Sequence, residues 1–279
     1  MRKIEEHIFK VLMISATLLI VGSFFLIMFT LLKKGLPAMS FDMISKTPEG
    51  GFYIGKEGGV LNAIIGSLYL ALSSSVLALI ISLPIVVYIN IYLKKISGLG
   101  SVTRLSYDVL FGIPSIVYGA FGFTIMMYFG LKASLLGGII AVTLLVIPIM
   151  IRTMDEVMRT VPKELLDASY SLGATRLETV KILIRQSAPG IFTAILLSFG
   201  RAIGDAASVM FTAGFSDNIP TSLTDPAPTL PLAIFFQLSS PIEEVQARAY
   251  ASTLILTALV LIISISARIL TKRFSKNKI

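Results

Sequence analysis

Six runs of apolar residues, each near the 20 needed to cross a hydrocarbon core of about 30 Å, divide this chain. They lie near 11–32, 61–89, 106–129, 134–151, 187–212 and 249–270. In lipid every backbone N–H and C=O must find a partner inside the protein, so runs of this length form helices. The expected fold class is all-α and integral to the membrane, with six transmembrane helices. Charge agrees: 14% of the 279 residues are Asp, Glu, Lys or Arg, whereas soluble domains carry about a quarter. The first run is too long for a signal-peptide core and lacks a nearby small-x-small cleavage site, so it reads as a retained span. Only Gly130 to Ala133 separates the third and fourth runs, a tight hairpin on which the even number of crossings depends.

Orientation follows from Lys and Arg. With the N-terminus in the cytoplasm, only Lys33, Lys34, Lys46, Lys56, Lys132 and Arg248 face the opposite side. Arg201 falls within a span, and the rest of the 24 basic residues face the cytoplasm, as do both termini. This distribution explains the net charge of +8 without any nucleic acid. Two longer loops, about 33–60 and 213–248, then face outward. The second holds Pro220, Pro226, Pro228 and Pro231, with LAIFFQL at 232–238 as either a short interfacial helix or a connector.

Several chemistries are excluded. The chain has no cysteine, hence no disulfide, thiolate nucleophile or Cys-type metal site. Its single histidine, His7, sits in a basic N-terminal stub and reads as solvated, so no metal site is expected. GGFYIGKE at 50–57 has the G-x-x-x-x-G-K spacing of a phosphate loop. Glu57 stands where Ser or Thr is needed for magnesium, no strand precedes it, and the loop is expected outside. It is a chance match.

Two stretches are more polar than a membrane core tolerates without reason. The first is PKELLDASYSLGATRLETVKILIRQSAPG, from Pro162. Proline suits a helix first turn, and Glu164 and Asp167 favour its positive end. Leu165, Leu166, Ala168, Ser169 and Leu172 fall on one broad face. Gly173 sits where a helix ends left-handed, and Thr175 with Glu178 makes a capping box that starts a second helix. Pro189 is then a kink or a boundary. The exposed apolar face suits docking to another protein. A helix lying on lipid is the other reading, but Lys163 is offset by Glu164 and Asp167, so the polar face is not strongly basic.

The second stretch is SFGRAIGDAASVMFTAG at 198–214, within the fifth span. Charge at that depth is costly and marks function by default. Arg201 and Asp205 are four apart and can pair; Ser198, Ser208 and Thr212 continue their face as a polar stripe. Gly200 and Gly204 form G-x-x-x-G on a neighbouring strip, allowing close approach of another helix. A guanidinium fork matches a tetrahedral oxyanion, yet a structural ion pair between packed helices explains the same residues equally well. Along the third span Asp108, Gly112, Ser115, Gly119 and Gly122 recur at helical spacing as a packing seam. Pro84, Pro114 and Pro148 fall within spans as tolerated kinks.

DASYSLGATRLETVKILIRQSAPGI resembles the EAA loop of bacterial ABC-transporter permeases, with Asp167, Ala168 and Ser169 in place of E-A-A and Gly173 at the expected glycine. GRAIGD at 200–205 after such a loop resembles the phosphate-specific branch of these permeases. FTAG at 211–214 and FGIPSIVYGAFG at 111–122 resemble its A-type subunit. The resemblance implies a type I importer permease fold, with residues 1–60 as an N-terminal span and outer loop. Residues 61–279 would form the permease domain, containing the loop at about 162–190. It implies that Glu164, Asp167, Ala168, Ser169 and Gly173 couple to a separate ATPase dimer, where ATP and Mg bind. A homologous C-type permease, an extracytoplasmic phosphate-binding protein and the lipid of a bacterial or archaeal cytoplasmic membrane are the other expected partners. Arg201, Asp205, Ser198, Ser208 and Thr212 would line the pathway, while Gly200, Gly204, Gly112 and Gly119 pack helices. The expected function is import of inorganic phosphate, with sulfate, molybdate or phosphonate as the alternative cargo. An intramembrane enzyme lacks its residues: no histidine or cysteine lies at bilayer depth, and Ser208 beside Asp205 is no convincing dyad.

Overall fold

The structure is a computed structural model and describes residues 2–49, 57–93 and 98–275; Gly50 to Lys56 of the phosphate-loop look-alike lie outside the described residues. Ten α-helices follow one another: α1 (Arg2–Gly35), α2 (Phe41–Ser45), α3 (Leu61–Val87), α4 (Gly98–Phe111) and α5 (Ser115–Tyr128), then α6 (Leu135–Arg159), α7 (Lys163–Ser171), α8 (Arg176–Ile203), α9 (Leu230–Leu238) and α10 (Glu243–Ser275). A two-residue antiparallel pair, β1 (Pro48–Glu49) with β2 (Glu57–Gly58), closes the loop after α2. Five helical stretches are long and apolar enough to cross a bilayer, and a sixth crossing arises if α4 and α5 count as one broken span.

That broken span corrects the expected third helix. The apolar run at 106–129 is not continuous: α4 and α5 meet at 99°, with Gly112, Ile113 and Pro114 between them. Proline pushes its predecessor out of the helical region and has no N–H to donate, and Pro114 here caps α5 in extended geometry (φ −58°, ψ 139°). The small-residue seam is thereby cut in two. Gly112 lies in the break, where a side chain would meet only the carbonyls of its own preceding turn, Val109 and Asp108. Pro84, Pro148 and Pro189, by contrast, sit inside α3, α6 and α8, so Pro189 marks no boundary. The hairpin between α5 and α6 is present, with Gly130 at φ +66°.

The fifth span also ends early. α8 stops at Ile203, and residues 204–213 form turns rather than helix. Asp205 terminates it: its carboxylate accepts the N–H and the hydroxyl of Ser208, a local bond that competes with the helical ladder.

α6 is the centre of the bundle, packed against α3, α8, α5 and α4. Two-thirds of its apolar window is buried (67%), and none of that of α1 (0%). Met150, Met154, Val142 and Val146 of α6 join Leu70 and Ala78 of α3 and Leu183 and Ala194 of α8 in the main core. A second core forms where Met43, Val60, Leu230, Ala233 and Ile255 meet. α9 belongs to it, with Leu230, Leu232 and Ala233 buried and Phe235, Phe236 and Leu238 exposed, so the 232–238 stretch is a short helix packed by one side and not a plain connector.

The long loop before α9 completes the start of α6. A helix leaves its first N–H groups without partners. Here Leu135 N–H donates to the Asp225 carbonyl at 2.8 Å and Leu136 N–H to that of Leu223 at 2.9 Å. Ser134, as N-cap, accepts from Gly137 N–H. Gly66 of α3 lets the same loop approach, since any side chain there would strike the Pro228 carbonyl.

Candidate functional site

At one end of the bundle, three residues link α6 to α7, and α7 turns back into α8. Pro162 precedes α7 in extended conformation, and Gly173 makes the turn at φ +84°, a region that costs other L-residues about 1–2 kcal/mol. Thr175 and Glu178 form the reciprocal capping box, with Thr175 N–H donating to the Glu178 carboxylate at 2.8 Å. Ser169 is buried, its hydroxyl 2.7 Å from the Leu166 carbonyl and 3.1 Å from Thr179 Oγ1 on α8. The broad apolar face expected of α7 is therefore split. Leu166 and Ser169 turn inward, while Glu164, Leu165, Asp167, Ala168 and Leu172 stay exposed, Leu172 at 90%. With α7 docked on α8 through its hydroxyl pair, what remains outside is a compact knob of small and apolar residues flanked by two carboxylates.

Nearer the other end, Arg201 and Asp205 pair at 2.7 Å (Arg201 Nη1 to Asp205 Oδ1). The environments of the two differ. The Asp205 side chain is 2% exposed and that of Arg201 40%. Asp205 spends its other oxygen on Ser208, so it is fully committed to holding one nitrogen of the guanidinium. Among the described residues Asp205 is the one ion-pair partner of Arg201, and a guanidinium carries five donors. With 40% of the side chain exposed, the guanidinium is held by Asp205 from one side only.

The rest of the expected stripe does not share that opening. Ser198 is buried on α8, its hydroxyl without a partner among the described residues. Ser208 is buried against Asp205, and Thr212 is buried with its hydroxyl returned to the Ser208 carbonyl at 2.8 Å. Ser208 and Thr212 leave the expected face because the helix ends at Ile203 and helical spacing no longer applies beyond it, whereas Ser198, still within α8, is turned into the bundle. Gly204 is the C-cap of α8, and among the described residues nothing lies within 4 Å of where a side chain on Gly200 would start. Gly119 of α5 does approach this region, where a side chain would lie 2.8 Å from Ser208 Cα.

A third polar assembly went unread in the sequence. Asp155, in the last turns of α6, is 1% exposed. It accepts hydrogen bonds from Asn90 Nδ2 at 2.7 Å, Arg104 Nε at 3.0 Å and Nη2 at 3.3 Å, and the Tyr107 hydroxyl at 2.7 Å. About two turns of sequence signal it only faintly: an acid in RTMDEVMR, between arginines, at the end of an apolar run.

The model of the family of binding-protein-dependent transport system inner membrane components matches residues 87–276. The chain belongs to this family.

Within the family, a phosphate transport system permease protein PstA of Yersinia pestis is 35% identical over 270 residues, 96% of this chain and 90% of the relative. A protein of the same name from Pasteurella multocida is 34% identical over 255 residues, covering 90% and 88%. A probable ABC transporter permease protein, YqgI of Bacillus subtilis, is 30% identical over 84% of each chain. Among solved structures, a chain of the MetNI methionine ABC transporter in an inward-facing conformation superposes with a TM-score of 0.63 at 18% identity, over 77% of this chain and 95% of that one. At that identity the likeness concerns the fold, that of an ABC-importer permease. Family members are transport components, so this chain is a permease subunit of a multi-pass membrane assembly and not an enzyme.

Proposed function

We propose that this chain is one permease half of an ATP-driven importer that carries inorganic phosphate across the cytoplasmic membrane. The observation that carries the reading is the half-exposed Arg201, gripped from behind by the buried Asp205. A guanidinium keeps its charge and offers paired donors to a tetrahedral oxyanion. The acid behind it limits how tightly an anion is held, as a pathway requires. The phosphate permeases among its relatives support the choice of cargo.

In this reading the knob around Leu172 docks on a separate ATPase, which binds ATP and Mg; Glu164, Asp167, Ala168 and Gly173 shape the knob and Ser169 holds it to α8. The open face at Gly200 and Gly204 receives a homologous permease, and a phosphate-binding protein delivers from outside. Both termini lie in the cytoplasm, as the Lys and Arg distribution supports. Residues 61–279 form the permease domain in this reading and 1–60 an N-terminal span and outer loop. Closure of the ATPase drives α7 between two positions, and the bundle follows.

The test is ATP-dependent phosphate uptake by the full complex in proteoliposomes, with and without excess sulfate, comparing wild type with Arg201→Ala. Uptake that ignores sulfate and falls about a hundredfold in the variant, with the complex intact, supports the reading; losing a charge-assisted contact to the anion, with Asp205 left buried and unpaired, costs about that much. Uptake blocked by sulfate transfers the cargo to another oxyanion. Undiminished uptake by the variant returns Arg201 to a structural ion pair.

A further inference from the structure

Among the described residues Asp155 has no hydrogen bond or ion pair to the expected pathway or the knob, yet it accepts four hydrogen bonds while almost wholly buried. Its four hydrogen bonds come from two other segments. Asn90 belongs to a π turn, Tyr88–Tyr92, that ends α3, and it spends a second amide hydrogen on the Val86 carbonyl at 2.9 Å. Arg104 and Tyr107 belong to α4, one turn apart on its inward face. A second, more open pair reinforces the same seam with the charges exchanged: Arg152 of α6 lies 3.5 Å from Asp108 of α4 and stacks its guanidinium 4.9 Å from the Phe111 ring. The Arg104–Asp155 and Asp108–Arg152 pairs together fasten α4 crosswise onto α6 just before the 99° bend.

Two physical points give this arrangement a role. A buried carboxylate deprived of one partner is strongly penalised, so the assembly is either whole or lost and does not stretch. And Asp155 stands one turn before the end of α6, which reaches α7 through Thr160, Val161 and Pro162 alone. A displacement of α7 therefore acts directly on the turn that bears Asp155. π turns are frequent at positions that matter mechanically, and this one is tied to the same carboxylate.

We infer that Asp155 is a positioning residue that makes the end of α3, all of α4 and the last turns of α6 move as one body with the α7 knob, and so conveys ATPase motion to the bent α4–α5 span. The inference rests on the proposed permease function but not on the identity of the cargo. The chain has no cysteine, so Ser101→Cys on α4 and Thr160→Cys at the α6–α7 joint report one distance by paired spin labels. In the assembled complex that distance stays the same with and without ATP while the body is whole. Asp155→Asn broadens it and lowers phosphate moved per ATP hydrolysed by about fivefold or more, the range of ordinary coupling energies. The inference is overturned if the wild-type distance changes between nucleotide states, or if Asp155→Asn lowers uptake and hydrolysis in equal proportion. Should Asp155→Asn fail to assemble, Tyr107→Phe removes one donor and keeps the ring: a smaller fall in the same ratio supports the role, and an unchanged ratio refutes it. A wild-type complex that moves no phosphate would sink the proposed cargo, while the label distance would still decide for or against the body.

Discussion

Gly173 has nothing within 4 Å of the position a side chain would take, so its need for glycine is purely a matter of backbone. At φ +84° asparagine is tolerated better than other non-glycine residues and valine worst. Gly173→Asn is therefore expected to retain most ATP-coupled transport, while Gly173→Val hydrolyses ATP without moving cargo; measuring both rates on the same vesicles checks the order, and equal behaviour of the two variants would refute it. Asp225 makes a different prediction. The Thr221 N–H and hydroxyl and the Ser222 N–H donate to its carboxylate and hold it below the usual carboxylate range. Its contribution is present above the unfolded value of about 3.9 and is lost as pH falls through the lower folded one. The protection of the Thr221 and Ser222 amides, relative to their intrinsic exchange rates, should fall below about pH 4 in wild type, and in Asp225→Ala it should be small at every pH.

Among elements, α6 and α8 approach closely at Gly190, where any side chain would collide with Val157. Gly190→Leu is expected to separate the two helices and cost about 1–3 kcal/mol, visible as a lower Tm of the purified complex; an unchanged Tm would mean that the pair can slide. Helix existence was legible wherever an uncharged apolar run fixed it, as at 61–87, or where local chemistry punctuated it, as with Thr175, Glu178 and Gly173. What was not legible depended on partners distant in sequence or on small apolar residues that permit several conformations. ASVMFTAG after Asp205 looks as helical as the run before it, and only the carboxylate taking Ser208 N–H shows that the helix has ended. The start of α4 at Gly98 was hidden because SVTRLSYD reads as polar loop until Arg104 and Tyr107 find Asp155. Helical periodicity assigns Ser198, Arg201, Asp205, Ser208 and Thr212 to one face; the structure links the last four by an ion pair and hydrogen bonds, and of the five only Arg201 is substantially exposed.

At the scale of the whole molecule, α1 lies outside the body, touching mainly α10, where Gly35 admits the Tyr250 carbonyl and Lys34 sits 5.0 Å from the Tyr250 ring. Phe9, Leu19, Phe25 and Phe29 along it are all exposed, which only lipid or another subunit can cover. Removing residues 1–33 should leave the Tm of the remaining helices within a few degrees while reducing recovery of the second permease on affinity purification; loss of folding instead would assign α1 to the body. The cap on α6 carries a consequence for how such a molecule is made. The ribosome delivers α6 to the membrane long before it delivers Leu223 and Asp225, whose carbonyls receive the first N–H groups of that helix. Until they emerge, the central helix of the bundle sits in lipid with an unfinished end. Insertion of the spans and closure of the bundle are then separate events during synthesis, and a nascent chain halted before residue 223 would hold its α6 in the bilayer without having locked it in place.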